Sequence, residues 1–169
     1  QEITKRYGAK EFLILTYSPN DSMSSDSSIN NLLSLKYKIQ SLDWVHSVIT
    51  LLDIPLLNST DAPLQERLQN FKTLKDEDID RERGFREILS SPVFRNFVIS
   101  EDGKTSGIIV NLKKDLEIKD LDNKSKNEIQ AYKDQIKKRN HENIIEIRDV
   151  IKSYEDIGKI HLGGIPMIA

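Results

Sequence analysis

The sequence predicts an α+β fold, and three observations lead to that prediction. An Asp-Gly pair stands between two short apolar runs in residues 96–113, a pattern typical of a β-hairpin. Residues 11–52 predict in turn a strand, an amphipathic helix and a strand. A long helical pattern at 127–154 then precedes a last short strand. We expect residues 1–169 to form one domain, which is long enough to bury roughly 70% of its unfolded surface.

The hairpin is the most definite of these elements. Its two apolar runs flank Asp102 and Gly103, and a two-residue Asp-Gly loop favours a type I′ turn, which needs positive φ at both residues. This register creates two favourable cross-strand pairs, Glu101 with Lys104 and Ser100 with Thr105. Neither run, 97–99 or 108–110, alternates with polar residues. We therefore expect both hairpin strands to be covered on both faces, or nearly so.

A β-α-β unit is predicted at the start of the chain. Residues 11–19 are rich in strand formers and end at Pro19, which lacks the N–H that a strand pair needs. A helix begins near Ile29, with Asp26 or a serine after it as the N-cap. Its apolar stripe consists of Leu32, Leu35, Ile39 and Leu42, widened by Leu33 and Tyr37. Residues 45–52 are rich in β-branched residues and predict the second strand.

A helical insertion is predicted at residues 58–91. Pro63 suits the first position of a short helix, and Asp61 is close enough to cap that helix. Its apolar side consists of Leu64, Leu68 and Phe71. A second helix is expected from Asp76 to about Leu89, because carboxylates at a helix N-terminus are favoured by the helix dipole. Its inward residues are Phe85, Ile88 and Leu89.

The last third of the chain predicts a charged turn, a long helix and a strand. Residues 114–126 are turn-like, and the helix at 127–154 is weakest at 137–141, where a break can fall. Its stripe consists of Ile129, Tyr132, Ile136, Ile144, Ile147, Ile151 and Tyr154. Gly158 is suited to end the helix, and residues 159–162 predict the last strand. A bend follows at Gly163, Gly164 and Pro166.

The order of these elements predicts a topology. Without the insertion and the first hairpin strand, the order is β-α-β-β-α-β, which is the split β-α-β arrangement of ferredoxin-like domains. We therefore expect a ferredoxin-like sheet with an added hairpin strand and a helical insertion. The first and last strands of that fold are antiparallel neighbours, so the chain should enter near Glu11 and leave near Pro166 at one edge of the sheet. This geometry suits a domain looped out between two membrane-embedded segments.

Composition excludes several functional classes. The chain has no cysteine, which removes thiol catalysis and zinc-thiolate sites. Its 25 basic and 27 acidic residues give no net field that would favour nucleic acid. No apolar run approaches the ~20 residues that cross a bilayer, and the first residues are no signal peptide. The start at Gln1 and the apolar end suggest a segment of a longer chain, with a processed mature protein as the alternative.

Motifs for catalysis or metal binding are absent from the sequence, including GxSxG, HExxH, the P-loop and GxGxxG. The three histidines lie far apart in the chain, at His46, His141 and His161. We expect each histidine to be exposed or hydrogen-bonded. The lysine-rich stretch 124–139 is interleaved with acidic residues, which is typical of a solvated helix face.

One acidic run matches part of a calcium-loop template. Its members at positions one, three, five and twelve are Asp76, Asp78, Asp80 and Glu87. Arg81 stands where that loop requires glycine for its sharp turn, so the start of a helix is the better interpretation. We therefore predict no catalytic, cofactor or metal site and no enzyme activity, and no residue of the sequence identifies a substrate-binding position.

Four segments in succession carry a family resemblance. They are EFLILTYSP, SVITLLDIPLL, SPVFRNFVISEDGKTSGIIVNLK and KIHLGGIPMIA. Their order and spacing resemble the first extracytoplasmic loop of bacterial resistance-nodulation-division exporters, in the "predicted exporter" branch related to MmpL and Patched-type proteins. The resemblance extends from about Glu11 to Ala169, and it is strongest in the hairpin and the last strand. The insertion at 58–91 is where branches of that family would be expected to vary.

The resemblance implies a porter-type domain between the first two transmembrane helices of a proton-driven exporter of hydrophobic or amphiphilic substrates, such as lipids or drugs. It implies a place at the inner (cytoplasmic) membrane, with this domain facing the periplasm or the cell exterior. The implied partners are a second porter domain and the transmembrane bundle of the same protein, and further copies in a homo-oligomer. The domain would shape the substrate path and move as a rigid body, while the proton-relay acids would lie in the membrane, outside this chain.

Two other functions fit the predicted fold. A free-standing ferredoxin-like module that senses a ligand or binds a protein would have a pocket of convergent polar groups. An enzyme of the same fold would need histidines and carboxylates in one cleft. The exporter interpretation instead predicts that the sheet face opposite the helices is partly apolar and exposed, as a contact surface.

Overall fold

A computed structural model describes residues 12–113 and 124–163. The strands are β1 (Phe12–Pro19), β2 (Val45–Ile49), β3 (Ser106–Leu112) and β4 (Gly158–Leu162). The helices are α1 (Asp26–Gln40), α2 (Leu64–Gln69), α3 (Arg81–Ser90) and α4 (Lys126–Ser153). Short 3₁₀ helices follow β2 at Leu51–Asp53 and α4 at Glu155–Ile157. None of the helices described combines the length and the apolar character needed to cross a membrane.

The strands form one four-stranded antiparallel sheet in the order β2-β3-β1-β4. The predicted α+β class is therefore confirmed. β1 and β4 are antiparallel neighbours, with Leu15 opposite Leu162. Just beyond that pair, the amide of Gly163 donates a hydrogen bond to the carbonyl of Ile14 at 2.6 Å. The beginning of β1 and the end of β4 consequently lie at the same end of the sheet.

One face of the sheet is buried and the other is not. Alternate residues of β1 and β3 are almost fully buried, and those in the core are Leu13, Leu15, Tyr17, Ile108 and Val110. The same core contains Ile29, Leu32, Leu35 and Ile39 of α1 and Ile147 and Val150 of α4. The helices thus cover a single face. The prediction that the apolar runs are covered on both faces is wrong, because successive residues of a strand point to opposite sides.

The predicted hairpin exists only in part. Its second run lies in β3, whereas the first run joins β3 through a single bridge between Ile99 and Ser106, so no strand is added to the sheet. The reason lies at Asn96, whose φ of 68° and hydrogen bond to the carbonyl of Ile99 fold the first run back on itself. The register is confirmed further along, since the amide of Ser100 donates to the carbonyl of Thr105 at 2.9 Å.

The predicted type I′ turn is also wrong. Gly103 has a φ of 70°, but Asp102 does not have positive φ. The Asp102 carboxylate accepts hydrogen bonds from the hydroxyl of Ser100 at 2.6 Å and from the amide of Lys104 at 2.9 Å. These side-chain bonds stabilise an alternative turn, closed by a hydrogen bond from the Gly103 amide to the Ser100 carbonyl.

The β-α-β unit is present with different boundaries. α1 begins at Asp26, and its N-cap is Ser25, whose hydroxyl accepts a hydrogen bond from the amide of Ser28. The predicted stripe is buried except at its end, but Tyr37 is 56% exposed and does not widen it. β2 ends at Ile49 because Thr50 and the residues after it form a capping box that starts a 3₁₀ helix.

Two helices are present in the predicted insertion, but the first turns its apolar side outward. Leu64, Leu68 and Phe71 are each more than half exposed. Leu64 is the first helical residue, Pro63 precedes it, and no side chain caps the helix. Asp61 pairs instead with Arg83 at 3.3 Å. The predicted short helix is present, and its apolar side remains largely exposed in the described part of the chain.

The second insertion helix starts later than predicted. α3 begins at Arg81, and the carboxylate of Asp80 accepts the amide of Arg83 as its N-cap. Asp76 is excluded from the helix because its carboxylate accepts the amide of Thr73 and closes a separate turn. Ile88 is buried as predicted, whereas Phe85 and Leu89 are half-buried at the edge of the core.

Ion pairs and carboxylate hydrogen bonds hold the insertion to the rest of the domain. Lys75 of the insertion approaches Asp53 at 3.7 Å, and Asp53 also pairs with the buried ammonium of Lys36 on α1. Glu87 on α3 accepts two backbone amides and one hydroxyl, from Leu57, Asn58 and Ser59. The insertion is therefore attached through polar contacts as well as through the core.

α4 is one continuous helix of 28 residues, without a break at 137–141. Only Ile147 and Val150 are buried, so the first half of the predicted stripe contributes no buried residue. The helix ends at Ser153, with Tyr154 as its C-cap, and Gly158 begins β4 instead of ending the helix. A Cβ at Gly158 would collide with the Ser18 carbonyl, which explains glycine there. The predictions for Glu11, 114–123, Gly164, Pro166 and both ends of the chain lie outside the described residues.

Candidate contact surface

The open face of the sheet, defined by the side chains opposite the helices, has an apolar centre. Ile14 on β1 is paired with Ile109 on β3, and Ile109 is paired with Ile49 on β2. Three branched side chains thus form a row across three strands. Phe12 lies two residues before Ile14 on the same side of β1 and extends the apolar centre toward the end of the sheet.

These four apolar residues do not belong to the core. Ile49 is 38% exposed, while Phe12, Ile14 and Ile109 are half-buried. None of the four is among the side chains that pack against the buried cluster. The second face of the sheet is therefore partly apolar and partly exposed, which is what the sequence analysis predicted for a contact surface.

Polar side chains surround this apolar centre. Asn111 donates a hydrogen bond to the hydroxyl of Ser47 at 3.0 Å, and both residues lie in the row that contains Phe12. On the other side, Thr16 of β1 is paired with His161 of β4. An apolar centre with a polar rim is the usual composition of a protein contact patch. The arrangement can exclude water and orient a partner.

The histidines do not form a site. His46 lies on β2 and His161 on β4, which are the opposite edges of the sheet, and His141 lies on α4. All three are exposed. Within residues 12–113 and 124–163, no three histidine or acidic side chains are grouped so that they could hold a metal ion. The sequence expectation of separate, exposed or hydrogen-bonded histidines agrees with these positions.

The acidic residues of the calcium-loop template have separate structural roles. Asp76 closes a turn, Asp80 caps α3, and Asp78 pairs with Lys72 at 3.2 Å. Glu87 holds the backbone after Leu56 through its two carboxylate oxygens. The structure gives each of the four carboxylates a partner in its own part of the chain.

Two pKa shifts reflect burial and local hydrogen bonding. Burial raises the pKa of Tyr17 to about 12, although its hydroxyl donates to the carbonyl of Ser28 at 3.3 Å. A hydrogen bond from the Ser100 hydroxyl, and a further one from the amide of Lys104, hold the pKa of Asp102 below its usual value. Tyr17 lies on the covered face and Asp102 in the turn before β3, so both groups have structural roles.

The sequence analysis missed a cavity at the end of β1, which we call the terminal cavity. It has a volume of about 700 Å³ and is lined by residues 18–23, Phe85, 102–104 and Lys159. These residues come from four separate parts of the chain. No local motif marks them, because only the antiparallel packing of β1 beside β4 and the turn before β3 brings them together.

Comparison with known protein families, with curated proteins and with solved structures finds no match to this chain.

Proposed function

We propose that this chain is the extracytoplasmic porter-type domain of an exporter of the resistance-nodulation-division class, with a ferredoxin-like fold. The domain would lie outside the inner membrane and contact a second porter domain of the same protein. Together the two domains would form a path for hydrophobic or amphiphilic substrates. The chemistry of transport, including proton coupling, would reside in the membrane part of the protein.

The position of the two ends of the sheet carries this proposal. β1 begins and β4 finishes side by side, with Gly163 hydrogen-bonded to Ile14. A domain inserted between two neighbouring membrane helices needs its first and last strands at one end, so that both connections reach the bilayer. The split order, in which β3 separates β1 from β2, supports the ferredoxin-like assignment.

The open face supports the proposed contact with a second domain. Its apolar centre of Phe12, Ile14, Ile49 and Ile109 would be covered by that domain, and its polar rim would fix the orientation of the two. Rigid-body movement between two such domains would then open and close the path.

Flanking sequence and surface labelling test the proposal together. We expect apolar stretches of ~20 residues directly before and after this chain in its gene product. In that product, freed of other cysteines, Ile49→Cys probes the open face and Lys138→Cys on the exposed side of α4 is the matched control. A membrane-impermeant maleimide should label Lys138→Cys in intact cells. The ratio of the Ile49→Cys rate to the control rate should fall about tenfold from the isolated domain to the full protein, because contact buries the thiol.

Three outcomes contradict the proposal. Flanking sequences without apolar stretches would show that the chain is not part of a membrane protein of the proposed kind. Labelling of Lys138→Cys only after the cells are permeabilised contradicts an extracytoplasmic position. An unchanged rate ratio between the isolated domain and the full protein shows that no domain covers the open face.

A free-standing ligand-sensing or protein-interaction module is the second candidate. The terminal cavity favours it, since polar groups from three parts of the chain line that cavity. Flanking sequence separates the two candidates directly, because the module requires no membrane segments.

A further inference from the structure

We propose that the terminal cavity binds a small soluble organic anion, whose charged group contacts Lys104 and Lys159 and whose apolar part lies against Phe85. This inference does not depend on the exporter proposal, since the cavity lies at the end of β1, beyond the apolar centre of the open face. The open face consists of residues on one side of the sheet, whereas the cavity is built where β1, β4 and the turn at 102–104 meet.

The cavity is a fixed part of the fold. Lys159 is the cross-strand partner of Ser18 in the pairing of β4 with β1. On its other side, the hydroxyl of Ser18 is hydrogen-bonded to the hydroxyl of Thr105 at 2.8 Å. Ser18 therefore connects the strand that carries Lys159 to the turn that carries Lys104. A volume of about 700 Å³ falls within the range of small-molecule sites.

Two carboxylates, Asp21 and Asp102, and two ammonium groups, Lys104 and Lys159, line the cavity, and they differ in the partners that the chain provides for them. Asp102 accepts hydrogen bonds from Ser100 and from the amide of Lys104, and Asp21 accepts one from the hydroxyl of Ser27 at 3.0 Å. Neither Lys104 nor Lys159 forms a salt bridge with a described residue. The carboxylates thus have donors within the chain, while both ammonium groups retain donors for a ligand.

An apolar wall makes a purely inorganic anion a poor match. The apolar side chains that line the cavity include Phe85 of α3, which is half-buried, and Met23, which is 4% exposed. The turn rests directly on the Phe85 ring, because a Cβ at Gly103 would lie 3.1 Å from its Cζ atom. That packing holds the ring in place. A ligand with a carboxylate or phosphate at one end and a short hydrocarbon part would satisfy both the lysines and the ring.

Amide NMR titration of the domain with octanoate tests the inference. We expect saturable shifts at the amides of Ser22, Gly103 and Lys159, with a Kd below about 1 mM. Lys104→Ala with Lys159→Ala should weaken binding at least about tenfold, because both charge-assisted contacts are lost. The arginine pair Lys104→Arg with Lys159→Arg should retain binding. The matched control is Lys133→Ala with Lys138→Ala on the exposed part of α4, which should leave the Kd unchanged.

Several results would overturn the inference. Chemical-shift changes that do not saturate, or that fall outside the cavity, would show non-specific association of the anion with the protein instead of binding at the cavity. If the control pair Lys133→Ala with Lys138→Ala weakened octanoate binding as much as the alanine pair at the cavity, the binding would also be non-specific. Inorganic phosphate that binds as tightly as octanoate would remove the apolar half of the proposed ligand. Binding to anionic vesicles without binding to monomeric octanoate would replace the soluble ligand with a lipid surface. If the alanine pair unfolds, two other variants decide the outcome. They are the arginine pair and Phe85→Leu. Phe85→Leu is expected to weaken the binding of octanoate but not that of phosphate.

Discussion

The two faces of the sheet have similar residues and different surroundings. Leu15 and Ile108 on the covered face are fully buried, whereas their chain neighbours Ile14 and Ile109 are half-buried on the open face. Ile14 and Leu15 are adjacent in the chain, and so are Ile108 and Ile109. Hydrophobic character alone therefore does not determine burial in this domain. The decisive factor is the side of the strand to which a residue points, because the helices lie on one side only.

Side chains on the two faces also contribute differently to the stability of the domain. A side chain inside the core contributes to folding by removing apolar area from water and by filling space. On the open face, Ile49 contributes less because 38% of its surface remains in water. A row of branched residues that remains partly in contact with water is consistent with a role in contact.

The largest expected effect is on the covered face. Leu15→Ala removes a side chain with no exposed surface from the centre of β1, and it leaves a cavity between the sheet and α1. We expect the free energy of unfolding to fall by about 3 kcal/mol. Denaturant unfolding of the isolated domain measures this change. A loss below about 1 kcal/mol would mean that the covered face is no better packed than the open face.

A smaller effect on the same face depends on pH. Tyr17 ionises near 10 in the unfolded chain, and burial raises its folded pKa to about 12. Its contribution to stability is complete below pH 10 and is lost as the pH rises through 12, because only the unfolded state readily releases the proton. We expect a loss of about 2 to 3 kcal/mol over this interval.

Denaturant unfolding at a series of alkaline pH values measures that loss. Other groups also titrate there, so the comparison with Tyr17→Phe isolates the contribution of this phenol. The variant should lose less stability than the unmodified domain between pH 10 and 12. Tyr37→Phe is the matched control, since Tyr37 is 56% exposed and should not change the pH profile. Identical profiles for the unmodified domain and Tyr17→Phe would show that Tyr17 is accessible to water.

The elements that could be predicted are those with a strong local signal. The helical spacing of Leu32, Leu35 and Ile39 correctly predicts the buried stripe of α1. The opposition of Ser100 and Thr105 was also predictable, because the two residues lie at equal distances on either side of the Asp-Gly pair, although the type of turn was not. The order of strands and helices followed from such local patterns, and so did the α+β class.

Features that depend on distant contacts were not predictable from local patterns. Periodicity indicates that α2 has an apolar side, but it does not reveal that Leu64 and Leu68 remain more than half exposed. The first hairpin run has strand-like composition, yet Asn96, with its positive φ, folds it back on itself, so a single bridge joins it to β3. Lys104 and Lys159 are 55 residues apart by their numbers in the chain, and only the sheet topology places both at the terminal cavity.

The smallest expected effect is on the open face, and it defines the comparison most sharply. Ile109→Thr keeps the β-branched shape but replaces the ethyl group by a hydroxyl. Because Ile109 is only half-buried, we expect the free energy of unfolding of the isolated domain to change by less than about 1 kcal/mol. Ile108→Thr makes the same change one residue earlier, where nothing is exposed, and should cost about 2 to 3 kcal/mol because the hydroxyl has no water. Denaturant unfolding of both variants measures the difference. Equal losses would show that Ile109 is also required for folding, and the apolar row would then need no partner to explain it.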